Sequence, residues 1–274
     1  MTGSGDHPAP LRIWYQGFLD LATVPPYRDS LERHAAAILR PGTEVAIHGM
    51  PPGSFTGTSP AEVARHPYTT SLYTEQLVTN VRRAEAEGYD AVAVGIVQNP
   101  GLREMRTLVD IPVVGYGESA MHLACLLGRR FSVLAFNPAL LELLEEQIDL
   151  YGLRSRAAPT IRIETQYEIV ARGFEEPEPL VAAFQEAARR ALESGADVLI
   201  PGQMVLAEIL WQQGVRRAEE APVVDALAAA LKSAELLAEL RRDSGVWHSR
   251  RGFWGARPAE SLVESARERY LRSP

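Results

Sequence analysis

The sequence predicts an α/β protein of two pseudo-symmetric lobes, each a parallel sheet flanked by helices, with the functional site in the cleft between them. Two observations carry this expectation. The first is a repeat. The stretch Glu87-Gly-Tyr-Asp-Ala-Val-Ala-Val-Gly-Ile-Val-Gln98 returns in the second half as Glu193-Ser-Gly-Ala-Asp-Val-Leu-Ile-Pro-Gly-Gln-Met204. Aligned on Gly88 and Gly195, Asp90 falls on Asp197, the apolar run 91–94 on 198–201, and Gly95 on Gly202. Each copy follows an Arg/Glu/Ala-rich helical stretch and precedes a second strand signal, Ile-Pro-Val-Val at 111–114 and Ala-Pro-Val-Val at 221–224. The second observation is the alternation of strand and helix signals with short connections, which implies parallel sheets and right-handed crossovers. The division expected is residues 1–116 for the first lobe and 117–225 for the second, with a helix and tail at 226–274 packing back on the first.

In chain order, residues 1–10 read as a frayed lead-in. Residues 11–16 form a first strand that exits at Gln16 into a loop carrying Asp20, Pro25, Pro26 and Tyr27. A helix over 28–40 stops at Pro41-Gly42, and residues 44–48 make a second strand ending at His48. The Gly/Pro/Ser/Thr-rich segment 49–60 is long enough to be a lid or disordered. A helix over 70–87 ends at Gly88, and the nearly all-apolar strand 91–97 follows, as expected for a strand covered on both faces. A strand at 111–115 opens a helix that runs to Leu127. The buried strand 131–136 exits at Asn137-Pro138 into a helix over 139–151. Further expectations are a strand at 160–164, a helix over 180–194, the second repeat strand, a helix over 204–213, a strand at 222–224 and a long Ala/Leu helix over 225–242. The tail 243–274 mixes cations with aromatics around Trp247, Arg250, Arg251, Phe253 and Trp254.

At 274 residues the chain is long enough to bury a large core, and a 46% hydrophobic, 23% charged composition fits a soluble α/β protein. A net charge of −7 argues against a nucleic-acid backbone or an anionic membrane surface as partner. No apolar run approaches the ~20 residues of a spanning helix, and no signal peptide opens the sequence, so the expected location is cytoplasmic. One cysteine, Cys125, excludes an internal disulfide. No phosphate loop, dinucleotide fingerprint, metal-ligand spacing or serine-hydrolase elbow is present, and no cofactor or metal is expected. The expected partner is a small-molecule substrate, with a homodimer or higher homo-oligomer as the default assembly.

In open parallel sheets, ligands bind beyond the C-terminal ends of the strands. That rule selects the loops at 16–20, 48–60, 95–101, 115–120, 136–138 and 202–206. The polar strand exits Gln16, Gln98, Asn99, Asn137 and Gln203 supply neutral donors and acceptors for a carboxylate, amide or urea-like ring, with Tyr15 and Ile96 beside them. Gln203 is also a candidate for polarising a carbonyl or holding an enolate. Glu118, at a helix start, and His48, at a strand end, are the candidate proton carriers. His122 and Cys125 lie three apart on one helix face, a spacing that more often marks packing against a sheet than a thiol–imidazole pair.

The paired Gly-x-Asp motifs, together with Pro100-Gly-Leu102, Ile111-Pro-Val-Val-Gly-x-Gly-Glu118 and Leu127-Gly-Arg-Arg-Phe-Ser-Val133, resemble the aspartate/glutamate/hydantoin racemase superfamily over residues 11–242. The last three motifs are nearest its hydantoin-racemase branch. The resemblance implies two α/β lobes with the site between them, and a cysteine after each repeat glycine acting on opposite faces of a substrate α-carbon. Those positions here are Ile96 and Gln203, so the chain departs from the pattern at the implied thiols. Isoleucine does not titrate, and glutamine is no base at neutral pH. The function expected is therefore a cysteine-less member acting on a small carboxylate or hydantoin/amide-like substrate through an enolate-like intermediate, as a lyase or isomerase. The alternatives are a non-catalytic small-molecule binder that keeps the cleft, and a racemase with a non-cysteine base.

Overall fold

Each copy of the repeat supplies a strand to its own sheet. In the computed structural model, which describes residues 10–271, the first half contains β1 (Leu11–Gln16), α1 (Pro25–Ile38), β2 (Thr43–His48), α2 (Pro60–Val63), α3 (Pro67–Ala86), β3 (Ala91–Val94), α4 (Leu102–Leu108) and β4 (Val113–Gly115). Next come α5 (Tyr116–Leu127), β5 (Phe131–Ala135), α6 (Ala139–Leu150), β6 (Ile161–Arg162), α7 (Tyr167–Ala171), α8 (Glu178–Glu193), β7 (Val198–Pro201) and α9 (Met204–Gln212). The chain then adds β8 (Arg217–Ala218), β9 (Ala221–Pro222), α10 (Ala226–Ser244) and α11 (Glu260–Tyr270). The lead-in expected at 1–10 lies outside the described residues except for Pro10.

Both main sheets are parallel, in the orders β2-β1-β3-β4 and β6-β5-β7. The second sheet repeats the first up to its last strand. There Val223 makes only a single parallel bridge to Leu199, while Ala221-Pro222 pairs antiparallel with β8. The strand expected at 222–224 is cut short for a local reason. Asp225 accepts a hydrogen bond from Ala228 N at 2.9 Å and so caps α10 immediately after Val224.

The aspartate shared by the two copies is structural. Asp90 accepts from Arg12 N at 2.8 Å and its own N–H donates to Arg12 O at 2.7 Å, tying β3 to the start of β1. Asp197 repeats this at β5, accepting from Arg129 N and Arg130 N at 2.9 and 2.8 Å while donating to Arg130 O at 2.8 Å. Asp90→Ala and Asp197→Ala are each expected to cost about 1–2 kcal/mol, lowering the melting temperature by roughly 2–6 °C. Melting temperatures unchanged in both variants would remove this role.

Helix starts explain most departures from the sequence expectation. Pro25 and Pro26, expected in a loop, and Pro60, at the end of the expected 49–60 segment, each open a helix, and Pro67 starts α3 ahead of the expected Thr70, because a first-turn position needs no N–H and already has proline's φ. Three short or polar helices, α4, α7 and α11, were not expected. They bury two residues, one and none, too few for a readable period.

The largest hydrophobic cluster lies between the sheets and draws on both, through β1, β3, β5, β7, α1, α5, α6 and α10. Two further clusters back the sheets, one under α3 and α4, the other under α8 and α9. Ala229, Ala230, Ala234 and Ala238 on α10 are all buried, and their small side chains let the helix lie close to α5 and β3. The tail runs over α3 and α4. Arg250 donates to Arg106 O at 2.6 Å and pairs with Asp110 at 2.6 Å, Arg82 pairs with Glu260 and Glu264 of α11, and Arg267 pairs with Glu75. Among the described residues, no helix is long and apolar enough to cross a membrane.

Candidate functional site

The loops leaving β3, β5 and β7 at their C-terminal ends converge on a cavity of about 410 Å³ between the two sheets. Gly95, Ile96, Val97 and Gln98 form one wall, Phe136 and Asn137 a second, and Gln203, Met204 and Val205 a third. The first turn of α1 contributes Pro26 and Tyr27, and α2 contributes Pro60 and Ala61, so the segment that follows the long 49–60 loop is part of the enclosure. Phe18, Leu19, Val24, Leu140, Val170 and Phe174 make most of the remaining surface apolar.

The repeat explains why Ile96 and Gln203 meet here. Gly95 N donates to Gln16 O at 2.9 Å, and Gly202 N donates to Leu134 O at 2.7 Å, so each glycine closes its strand on a neighbour in the same way. The next residue then leaves the ladder into the cavity wall. Ile96 is buried and presents hydrocarbon. Gln203 accepts weakly from Phe136 N at 3.3 Å, while its Nε2 is buried without a hydrogen-bond partner. Gln203 also precedes α9, whose first turn carries no side-chain cap, so backbone N–H groups of the helix start open beside it. Asn137 lies on the same cavity, with Oδ1 accepting from Ala139 N at 3.1 Å. Together these groups offer neutral donors in an apolar enclosure, an arrangement that favours a carbonyl or carboxylate oxygen. Burial raises the pKa of the Tyr27 hydroxyl, so at neutral pH it is a hydrogen-bond group and not a base.

Several residues expected at the site lie elsewhere. Gln16 is fully buried, and its amide is saturated. Oε1 accepts from Trp14 Nε1 and Asn80 Nδ2, both at 3.0 Å, while Nε2 donates to Gly17 O and Gly49 O at 2.8 and 3.1 Å. It locks the ends of β1 and β2 together behind the wall. Tyr15 is also fully buried, with its hydroxyl against Gly95; burial, reinforced by the neighbouring Tyr27, pushes its pKa up. His48 follows the register of Gln16 onto the α3 side of the first sheet, where its ring stacks on Trp14 at 3.4 Å. Burial and the nearby Arg83 lower its pKa, so at neutral pH it is a neutral packed ring outside the cavity.

Glu118 and Asn99 belong to a neighbouring, more polar cavity of about 400 Å³, with Arg103, Arg106, His122 and Tyr151. Glu118 is held there by Arg106 at 2.5 Å. Asn99, at φ 49°, donates to the Tyr151 hydroxyl at 2.8 Å and accepts from Gly117 N at 3.2 Å, so its amide fastens the loop to α5 and α6. Gln98 borders both cavities. Cys125 lies on α5 away from the cavity wall, its thiol pKa raised by burial. The reading of residues by strand exit failed for Gln16 and His48 because a strand end has two faces, and only one opens on the cleft. Tyr15 takes the cleft-side face but is buried beneath the wall beside Tyr27 and Gly95. Residues not expected at the site include Phe174, Tyr167 and Glu175. Glu175 stands in the loop that leads into the helix expected over 180–194, and neither it nor Phe174 falls in a loop selected by the strand ends.

Two parallel sheets joined by one core, with a ligand-sized cavity at the strand ends, define an α/β protein with a place for a small molecule between its sheets. The chain belongs to the Asp/Glu/hydantoin racemase family, whose sequence model matches residues 19–234. A hydantoin racemase from Pseudomonas sp. (strain NS671) is 30% identical over 182 residues, covering 66% of this chain and 71% of that protein. The fold is similar to that of an allantoin racemase from Klebsiella pneumoniae, with a TM-score of 0.74 at 23% identity over 91% of this chain and 94% of that one. It is similar to the same degree to an allantoin racemase from Pseudomonas fluorescens, with a TM-score of 0.74 at 24% identity over 90% and 97% of the two chains.

Proposed function

We propose that the chain is an enzyme that holds a small carboxylate or hydantoin/amide-like molecule in the cavity between the sheets and acts on it through an enolate-like intermediate. It works as an isomerase or lyase and not as a two-thiol racemase. The observation that carries this reading is Gln203, whose buried and unpartnered Nε2 stands at the uncapped start of α9 in a largely apolar enclosure. Such a donor gains most when negative charge develops on a bound carbonyl oxygen. The likeness to hydantoin racemases supports the substrate class. Ile96 leaves the opposite wall without a titratable group at the position where the family resemblance implies a thiol. Because Glu118 and His48 lie off the cavity, the role of proton carrier passes in this reading to Glu175, the carboxylate among the described cavity residues.

A second reading, a binder that performs no chemistry, draws on the same feature. Glu175 is exposed, so no carboxylate of the described wall is buried against the ligand. One experiment separates the two. Hydantoins with an apolar 5-substituent are incubated with the protein in deuterated water and followed by NMR. Loss of the α-proton signal, slowed by Glu175→Gln, is the expected result. Measurable binding with no exchange and no turnover across the panel would leave the binder reading in its place.

A further inference from the structure

The cavity is walled by two helix starts, at Tyr27 on α1 and at Met204 and Val205 on α9. One turn deeper, the same helices meet in a buried polar cluster. The spacing Tyr27, Ser30, His34 keeps all three on one face of α1, and Met204 and Glu208 share a face of α9. Ser30, His34 and Glu208 are 0%, 1% and 0% exposed. The Ser30 hydroxyl donates to Glu208 Oε2 at 2.6 Å. His34 faces a carboxylate at each ring nitrogen, with Nδ1 at 2.8 Å from Glu208 Oε1 and Nε2 at 2.9 Å from Asp225 Oδ2. With both carboxylates ionised, each can only accept, so both ring nitrogens donate and the ring is an imidazolium, in line with its raised pKa. Trp211, one turn on from Glu208, stacks on it at 4.0 Å and 16°.

We propose that His34 is a positioning residue: bonded at once to Glu208 of α9 and to Asp225 at the head of α10, it fixes the separation of the α1 and α9 turns that wall the cavity. The functional consequence rests on the cavity being the ligand site, as proposed above, but the tie itself does not. Asp225 links the cluster to the rest of the fold, because its other oxygen caps α10. The groups facing His34 are Glu208 and Trp211 from α9, Asp225 from α10 and Ser30 from its own helix. Arg216 acts on Asp225 and stands over the Trp211 ring at 5.8 Å from its centroid, the Tyr15 and Tyr27 hydroxyls act on Glu208, and Tyr116 on Asp225. If His34 loses a proton, one carboxylate is left facing a lone pair in a buried site, and the tie reverses into repulsion.

The direction of the pH effect follows. Burial alone would lower the proton affinity of His34, but hydrogen bonds and charge from Asp225 and Glu208 raise its pKa above the ordinary 6.5. A raised folded-state value means that the stabilisation is complete below the unfolded value and is lost as pH rises through the folded one. Asp225, held low mainly by His34 against the effect of burial, loses its share only on acidification. The helices therefore loosen on the alkaline side.

The test uses the full chain without ligand. Hydrogen–deuterium exchange at residues 25–31 and 204–208 is followed from about pH 6 to about pH 10 and normalised to intrinsic rates. Trp211 emission is read in parallel, with Trp211→Phe supplying the background from the other tryptophans. Emission is expected to rise as the stacked ring loses its charge, and exchange at both turns to rise at least about threefold in the same step. Asp225→Asn keeps a cap for α10 and is expected to move both steps down by about one pH unit. His34→Gln is expected to abolish them; should it fail to fold, Asp225→Asn decides alone. The proposal is overturned by the absence of an emission step, by an emission step without an exchange step, or by steps that stay put in Asp225→Asn. Failure of hydantoins to bind at any pH counts instead against the function proposed for the cavity, and leaves the exchange result to judge the tie.

Discussion

Gln203→Leu is expected to weaken binding of a 5-substituted hydantoin at least about tenfold, roughly 1.4 kcal/mol, while barely changing thermal stability. The asymmetry follows from the bonds that glutamine makes. Its Oε1 holds only the 3.3 Å contact from Phe136 N, and its Nε2 is a buried donor with no protein partner. Leucine removes a group that has already lost its water, so the folded protein gives up little. The ligand gives up a buried neutral side-chain donor that has no partner among the described residues, beside the head of α9. Calorimetric titration and a melting curve on the same sample check both halves. Undiminished affinity would remove Gln203 from the site. A fall in affinity matched by a large fall in melting temperature would assign it to the scaffold.

Gly95→Ala is expected to be the most destabilising single substitution in the repeat, about 3 kcal/mol, lowering the melting temperature by roughly 6–12 °C. A Cβ on Gly95 would stand 2.0 Å from the Tyr15 hydroxyl and 2.3 Å from Cζ. Tyr15 is fully buried, so its ring end has nowhere to swing. The equivalent change, Gly202→Ala, meets Ala135 Cβ and Leu134 O at 2.8 Å, a milder conflict. The expected order is therefore Gly95→Ala worse than Gly202→Ala. Combining Gly95→Ala with Tyr15→Leu should cost less than the sum of the two changes, because the second removes the obstacle met by the first. A strictly additive pair would show that Tyr15 is not what excludes a side chain at 95.

These two glycines show how much of the fold was legible in the sequence. The repeat marked both strands, their aspartates and the positions that enter the cavity, because parallel strands buried on two faces write long apolar runs. Strand exits were less informative. Gln16 and Gln203 look alike in sequence, yet one is saturated behind the sheet and the other is unpaired at the cavity, and only the side chain's face distinguishes them. Glu118 was correctly placed at a helix start, but that helix opens on the polar cavity. The His34 cluster did leave a trace, a lone glutamate inside the apolar run Met204 to Leu210. Its meaning needed a histidine 174 positions away in sequence.

The placing of α10 has a consequence for synthesis. Leu227, Ala230, Leu231, Ala234 and Ala238 fill the cluster shared by both sheets, and the helix touches β1, β3, β4, α1, α5 and α9. The first sheet is therefore complete in hydrogen bonds by residue 115 but lacks one of its covering layers until about residue 240 has been made. A nascent chain holds Ile13, Ala91 and Ala93 without that cover throughout translation of the second half. Ribosome-bound chains stopped before α10 should engage chaperones through that surface, and chains extended past Ser244 should release them.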